Sequence, residues 1–530
     1  MNARWLGLYG LPMLLLVVLP MLAAIPALTV WPLTFAPSWG EALWQTLSVT
    51  LASTLVVIML ALWLAQHIHQ GRNLSALTSI LATPHVAFTV GLLWLFAPTG
   101  ELIRLLHAAT ELFAIPPMGW PLPEKSLVTL TLVLVLKELP FLLLMALVQQ
   151  QHLPFARWQL QAQSLGWSPR RIWWGLLVPA LLPRLGLPIA AIMIYSLSVV
   201  DIPLMVGPNT PSLLAVEVFE QQYQWRADTL AQSGAWLLVG LGVLLLGGLK
   251  LLLPTVITGI AWWRERSHKQ GKQLPLSISK GLLKLLFALG VLVLIGLLLQ
   301  SLAGAWFYPR VLPSQWELAR WGQEWPYLQP LLLHSFGLAL GSAVLSVLAA
   351  VAVLERQRQR GQTQLQLLPL LALLLPQVPL VLGWQQWLGQ GNSALWVIWS
   401  HAIFGFPYAY LVMHGAWVRF DARWLYQAQS LGYSSWQAWY KVLVPLQKAP
   451  LIMALVLAFS VSIAQYLPTL WLAGGTLPTL TTETVSIASG GDWRVASLYA
   501  LMQTALPMLL LLLGWFLLWR APAVKNKEFG

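Results

Sequence analysis

Apolar residues along this chain gather in long runs rather than alternating or recurring every third and fourth position. The runs fall at residues 9–30, 42–66, 75–97, 126–149, 184–205, 233–253, 281–304, 328–354, 367–388, 395–418, 450–472 and 498–519. Each is near the length, about 20 residues, with which an apolar helix crosses a hydrocarbon layer. A helix satisfies its own backbone there, which an open strand cannot do. The pattern therefore predicts an all-α polytopic membrane protein of about twelve transmembrane helices. The first run follows Arg4 but is long for the core of a secretory signal, so it is expected to remain as a span.

The polar segments between the runs set the orientation. With the N-terminus inside, six of the 30 Lys and Arg fall outside (Arg104, Lys125, Arg226, Arg310, Arg320, Arg494). Three more (Lys137, Lys250, Lys284) lie in or beside spans, which leaves 21 on the inner side. That is the positive-inside bias, and it puts both termini on the cytoplasmic side of the membrane. The net charge of +13 is thus an orientation signal, with anionic membrane lipid as its partner and no role for nucleic acid. Composition agrees with the membrane reading: 58% hydrophobic, 9% charged, mean hydropathy +0.71. Several of the 31 tryptophans, including Trp31, Trp39, Trp44, Trp94 and Trp120, stand near run ends, where an indole can bury its ring and wet its N–H. The absence of cysteine excludes disulfides, thiolate metal sites and cysteine nucleophiles.

A repeat divides the chain. Residues 157–179 read RWQLQAQSLGWSPRRIWWGLLVP and residues 423–445 read RWLYQAQSLGYSSWQAWYKVLVP, 13 of 23 positions identical at an offset of 266. Pro84-His85-Val86 followed by Gly91 matches Pro376-Gln377-Val378 followed by Gly383, and Pro140 matches Pro407. An even number of spans separates the copies, so the halves are parallel six-helix repeats. The basic stretch 254–280 lies at the midpoint and reads as a cytoplasmic linker between units 1–253 and 281–530. Each repeated loop is expected to form a helical hairpin on the inner side. Gly166 and Gly432 suit the left-handed position that ends a helix. Ser168 with Pro169, and Ser434 or Ser435, suit the start of the next one. That helix enters the membrane at Pro179 or Pro445. Such hairpins expose Trp158, Trp167, Trp173 and Trp174 in the first copy and Trp424, Tyr433, Trp436 and Tyr440 in the second, a paired docking surface.

The hairpin resembles the EAA loop of binding-protein-dependent ABC importer permeases, whose form is Glu-Ala-Ala, three residues, Gly, nine residues, then Ile-x-Leu-Pro. Gly166 to Pro179 and Gly432 to Pro445 have the family spacing, and Ala162 and Ala428 fall on its second alanine. The glutamate position holds Leu160 or Tyr426, and the first alanine position holds Gln161 or Gln427. Two fused six-span units, each with such a loop, are similar to the permeases of ferric-iron and thiamine uptake. The resemblance implies two ATPase subunits docked on the loops, at residues including Trp167 and Tyr433. It also implies a periplasmic binding protein on the other face and a small solute carried inward.

The chain offers little chemistry of its own. The string closest to a P-loop, Gly119 to Ser126, lacks the second glycine. The nine histidines show no metal-ligand spacing, with His67 and His69 read as a turn, and no catalytic constellation or cofactor motif emerges. The polar residues within spans are the remaining candidates, because burying them in lipid is costly. Lys137 and Glu138 lie mid-span, Asp201 ends the fifth run and Gln465 holds the corresponding region of the second half. His85 and Gln377 follow matched prolines that interrupt their helices. His85, Glu138, Asp201, Gln377 and Gln465 are therefore candidates to line a translocation path, or to satisfy broken backbone. The outer loops 206–232 and 473–497 carry Glu217, Glu220, Tyr223, Trp225, Asp228, Glu483, Asp492 and Trp493, where a binding protein would dock. An ion-coupled secondary transporter shares the two-half pattern, but it needs coupling carboxylates in its spans, and Glu138 is the single central one.

Overall fold

The computed structural model describes residues 10–30, 33–68, 83–120, 122–123, 125–224, 228–266, 276–388 and 393–519. The start of the expected third span, linker residues 267–275, Trp31, His69, Trp225 and Arg226 lie outside that set. Among the described residues the regular elements are helices, apart from an isolated bridge between Ala303 and Trp316. Ten helices are long and apolar enough to cross a membrane, or up to 12 when two bent pairs count as single crossings.

In the first half, α1 (Gly10–Leu28), α2 (Trp39–Ala65), α3 (His85–Phe96) and α4 (Glu101–Thr110) lead to α5 (Leu127–Gln151). Helices α6 (Phe155–Ser164) and α7 (Pro169–Ser198) form the first hairpin. Short α8 (Asp201–Val206) and α9 (Leu214–Gln221) precede the long α10 (Asp228–Arg266). The second half runs through α11 (Leu276–Leu302), α12 (Ala319–Gln359), a 3-10 turn at Leu368–Leu374, α13 (Gln377–Leu388) and α14 (Ala394–Val418). Its hairpin is α15 (Arg423–Ser430) with α16 (Ser435–Leu446). Then follow α17 (Lys448–Ile463), α18 (Leu467–Ala473), α19 (Leu480–Ser489) and α20 (Trp493–Trp519).

Each expected span has a helix at its place, with three differences. The stretch after Phe96, expected as loop, breaks the helix over residues 97–100 and resumes it as α4, so that His85–Thr110 is one candidate span. Its Arg104 is buried because it donates to the carbonyls of Thr99 at 2.8 Å and Arg310 at 2.6 Å, over the Trp306 ring. Helix α10 continues to Arg266 through the first part of the expected linker. The fifth and eleventh runs are not single helices: α7 starts at Pro169, breaks at Val199–Val200 and resumes as α8, and α17 ends at Ile463 before α18 begins at Leu467. Trp44 is 71% exposed, as an interfacial ring is, whereas Trp39 is fully buried in the core rather than at an interface.

Both matched prolines stand directly before the start of a helix. Pro84 is extended (ψ 151°) before α3, and the chain bends by 103° between the 3-10 turn and α13 around Pro376. The matched glycines have a tertiary reason. A Cβ on Gly91 would lie 2.7 Å from Val293 of α11, and one on Gly383 would lie 2.5 Å from the Cα of Ala24 in α1. Each half therefore lodges its broken helix against the first span of the other half, where only glycine lets the backbones approach. Two indoles secure the exchange, Trp384 Nε1 donating to the Pro20 carbonyl and Trp399 Nε1 to that of Leu15, both at 2.9 Å. The larger apolar core accordingly mixes α1, α7 and α10 with α12, α13 and α14.

Candidate functional site

Both hairpins close by the same local chemistry. Gly166 has φ +75° and Gly432 φ +88°, a conformation that costs an L side chain about 1–2 kcal/mol. In the first, Trp167 N–H donates to the Ala162 carbonyl at 3.0 Å and Gly166 N–H to that of Gln163 at 2.9 Å. In the second, Tyr433 N–H donates to Ala428 at 3.2 Å and Gly432 N–H to Gln429 at 3.0 Å. These are the paired bonds of a Schellman turn, and they fix the alanine carbonyl as its anchor. The next helix is capped by Ser168, accepting from Arg171 N–H, and by Ser434 rather than Ser435, in a capping box with Gln437. Pro179 and Pro445 lack the N–H that would reach Gly175 and Lys441. A π-turn precedes each proline, at Trp173–Leu177 and Trp439–Leu443.

The two hairpins also show the same face. Ala162 and Ala428 are buried beneath the turn, while Gln161 and Gln427 are exposed. Leu160 and Tyr426 are 66% and 65% exposed, and Leu165 and Leu431 are 74% and 80% exposed. A guanidinium covers Trp167 (Arg171, 4.3 Å), as an ammonium covers Tyr433 (Lys441, 5.1 Å). Trp424, Trp436 and Tyr440 are exposed as expected. Trp173 is not: it is buried, with its ring edge-on to that of Phe155. Behind the first hairpin stands α10, with Arg171 Nη2 donating to the Arg264 carbonyl at 2.8 Å. Behind the second stand α12 and α14: Trp439 meets Trp417, whose Nε1 donates to Glu355 at 3.1 Å, and Glu355 holds Arg358.

A cavity of about 270 Å³ lies between the halves, and His85, Glu138, Asp201, Gln377 and Gln465 all line it. His85, Asp201, Gln377 and Gln465 reach it from helix ends and breaks, where backbone is already interrupted, and Glu138 from the middle of α5. His85 Nε2 is 3.2 Å from Glu138 Oε1 and its ring is 5.1 Å from that of Tyr195. Lys137 Nζ donates to the Thr83 carbonyl, so adjacent residues of α5 reach two positions of one segment, as their divergence on a helix requires. Across the cavity, Gln377 Nε2 donates to Gln465 Oε1 at 2.7 Å, and Gln377 N–H donates to Ser198 Oγ at 3.1 Å. The last bond ties the start of α13 to the end of α7 in the other half. Tyr195, Tyr408, Ser460 and Tyr466 also line the cavity, although hydroxyls and rings within apolar runs look like ordinary packing in the sequence.

An all-helical membrane protein with twin hairpins and a polar cavity between exchanged halves belongs to the class of transport proteins. This chain belongs to the ABC transporter permeases of the inner membrane. It is 32% identical over 498 residues to the inner membrane ABC transporter permease protein YnjC of Escherichia coli (strain K12), covering 91% of this chain and 89% of that protein. No protein-family model matches the chain. As a permease of this kind it is a multi-pass inner-membrane subunit that works with ATPase partners.

Proposed function

We propose that the chain is the fused transmembrane subunit of an ABC importer, with units 1–253 and 281–530 joined by the segment 254–280. One ATPase subunit docks on each hairpin at the cytoplasmic face, where both termini also lie. A periplasmic binding protein delivers a small solute to the opposite face. The solute crosses between the halves through the cavity lined by His85, Glu138, Asp201, Gln377 and Gln465. ATP-driven closure of the partners draws the hairpins together and switches the side to which the cavity opens.

The observation that carries this reading is the duplicated docking face. Large apolar side chains stand exposed at matched positions, Leu160 with Tyr426 and Leu165 with Leu431, on turns of the same geometry. Exposed apolar residues in rigid matched settings are what a pair of identical partners requires. The glycine-to-proline spacing that resembles the EAA loop supports the same reading. Leucine and tyrosine at the glutamate position make the contact one of packing rather than an ion pair.

The double variant Gly166→Val, Gly432→Val tests it, since a β-branched residue resists the left-handed conformation. Co-purified ATPase subunits and solute-stimulated ATP hydrolysis are expected to be lost while the permease remains in the membrane. Normal assembly and normal stimulation in that variant would overturn the proposal. So would uptake by the chain alone in liposomes under an ion gradient.

A further inference from the structure

A second cavity, about 370 Å³, lies beside the central one, at the end of the bundle away from the hairpins. Leu204 and Phe219 of the first half and Thr469, Leu477, Glu483 and Ser486 of the second contribute to its wall. One residue, Tyr466, lines both cavities. It occupies the break between α17 and α18, as the residue that opens α18. Its ring is 6.3 Å from that of Phe219, which stacks on Trp471 at 5.9 Å. Tyr466 also packs against both large apolar cores, so it stands where the two halves meet.

The helix ends on either side of Tyr466 are pinned. His401 of α14 bonds Ser462 Oγ before the break at 2.8 Å and Thr469 Oγ1 after it at 2.9 Å. A side chain at a short non-helical break between two fixed helix ends can turn without moving the helices. An aromatic ring with two torsions does so at small entropic cost.

We propose that the second cavity is an antechamber on the solute's route and that the Tyr466 ring is the barrier between it and the central cavity. The antechamber combines an apolar wall (Leu204, Phe219, Leu477), the exposed Ser486 hydroxyl and one carboxylate (Glu483). That lining takes a small organic solute with an apolar face and hydrogen-bond donors, in a volume typical of sites for such ligands. The solute reaches the central cavity only when Tyr466 swings aside. This rests on the importer reading for the direction of travel; the barrier itself does not depend on ATPase or solute.

The chain has no cysteine, so single cysteines can report each chamber. Ser486→Cys marks the antechamber and Ser460→Cys the central cavity. A membrane-impermeant maleimide is applied to spheroplasts from the periplasmic side. Ser486→Cys is expected to react readily, and Ser460→Cys about tenfold or more slowly, as befits a site reached only by local opening. Adding Tyr466→Ala should bring Ser460→Cys close to the rate of Ser486→Cys, whereas adding Tyr466→Phe should leave it slow. An unchanged Ser486→Cys rate in the Tyr466→Ala background shows that the fold is retained. Equal rates at both sites in the parent would overturn the proposal. No acceleration with Tyr466→Ala, or reaction of Ser486→Cys from the cytoplasmic side alone, would also overturn it. If the hairpin variants assemble normally while the barrier behaves as expected, the importer reading fails and the barrier stands.

Discussion

The two halves carry the same hairpin but hold it differently. The first is backed by one helix, α10, through a partly exposed arginine bonded to a backbone carbonyl. The second is backed by a buried network in which Trp417 and Arg358 share the Glu355 carboxylate, while Gln357 bonds Tyr410. The cavity shows a related contrast. Its acidic and basic residues His85, Lys137, Glu138 and Asp201 come from the first half, whereas the polar residues of the second are uncharged, among them Gln377, Gln465, Ser460, Tyr408 and Tyr466. Glu138 matches Gly405 two residues before the repeated proline, and that glycine lies against Ser346, where a Cβ would come within 2.7 Å. The two halves share the exposed face of the hairpin and differ in what supports it and in the polar wall of the cavity.

The largest effect should separate the two supports. Removing one member of a buried ion pair leaves the other uncompensated, a cost of about 3–5 kcal/mol. Glu355→Ala should therefore lower the unfolding temperature in detergent more than Arg171→Ala, which loses a part-exposed hydrogen bond worth about 1 kcal/mol and a cation–π contact with Trp167 worth about 0.5–1 kcal/mol. Similar losses from the two variants would mean the hairpins are held alike.

The exchange of first spans can be probed at its glycines. Gly383→Ala meets the backbone of Ala24, which cannot yield, and should cost about 3 kcal/mol. Gly91→Ala meets chiefly the Val293 side chain and should cost nearer 1 kcal/mol. The order of the two melting temperatures is the test, and the reverse order would sink it.

The smallest contrast lies in the cavity. Glu138→Ala removes a bond between a carboxylate and histidine worth about 1.5–3 kcal/mol, and Gln377→Ala a neutral bond worth about 0.5–1.5 kcal/mol. Solute uptake should fall by about tenfold or more in the first and a few-fold in the second, with the permease equally abundant in the membrane. Equal loss in both would show that the charged wall has no special part in passage.

Much of this architecture was legible along the chain. Run length and apolarity placed a helix at each expected span, because a helix in lipid must satisfy its own backbone. The Gly166 and Gly432 turns were legible too, since a Schellman turn needs only residues within six positions of one another. Polar residues in apolar runs singled out His85, Glu138, Asp201, Gln377 and Gln465, and the fold brings all five to one cavity. Burial in lipid without partners is too costly for such groups to be scattered.

What the sequence could not show depends on contacts between distant segments. The repeated Gly91 and Gly383 were visible as a match, but their partners Val293 and Ala24 lie on the opposite halves. Trp173 and Trp439 hold one repeat position, yet neighbours as remote as Phe155 and Trp417 decide how each ring is buried. Tyr466 resembles any interfacial tyrosine until the fold sets a cavity on each side of it. Local hydrogen bonding and hydration act along the chain and leave their mark in its pattern. Close packing between helices is a property of surfaces that meet only after folding, and the tertiary structure alone decided which surfaces met.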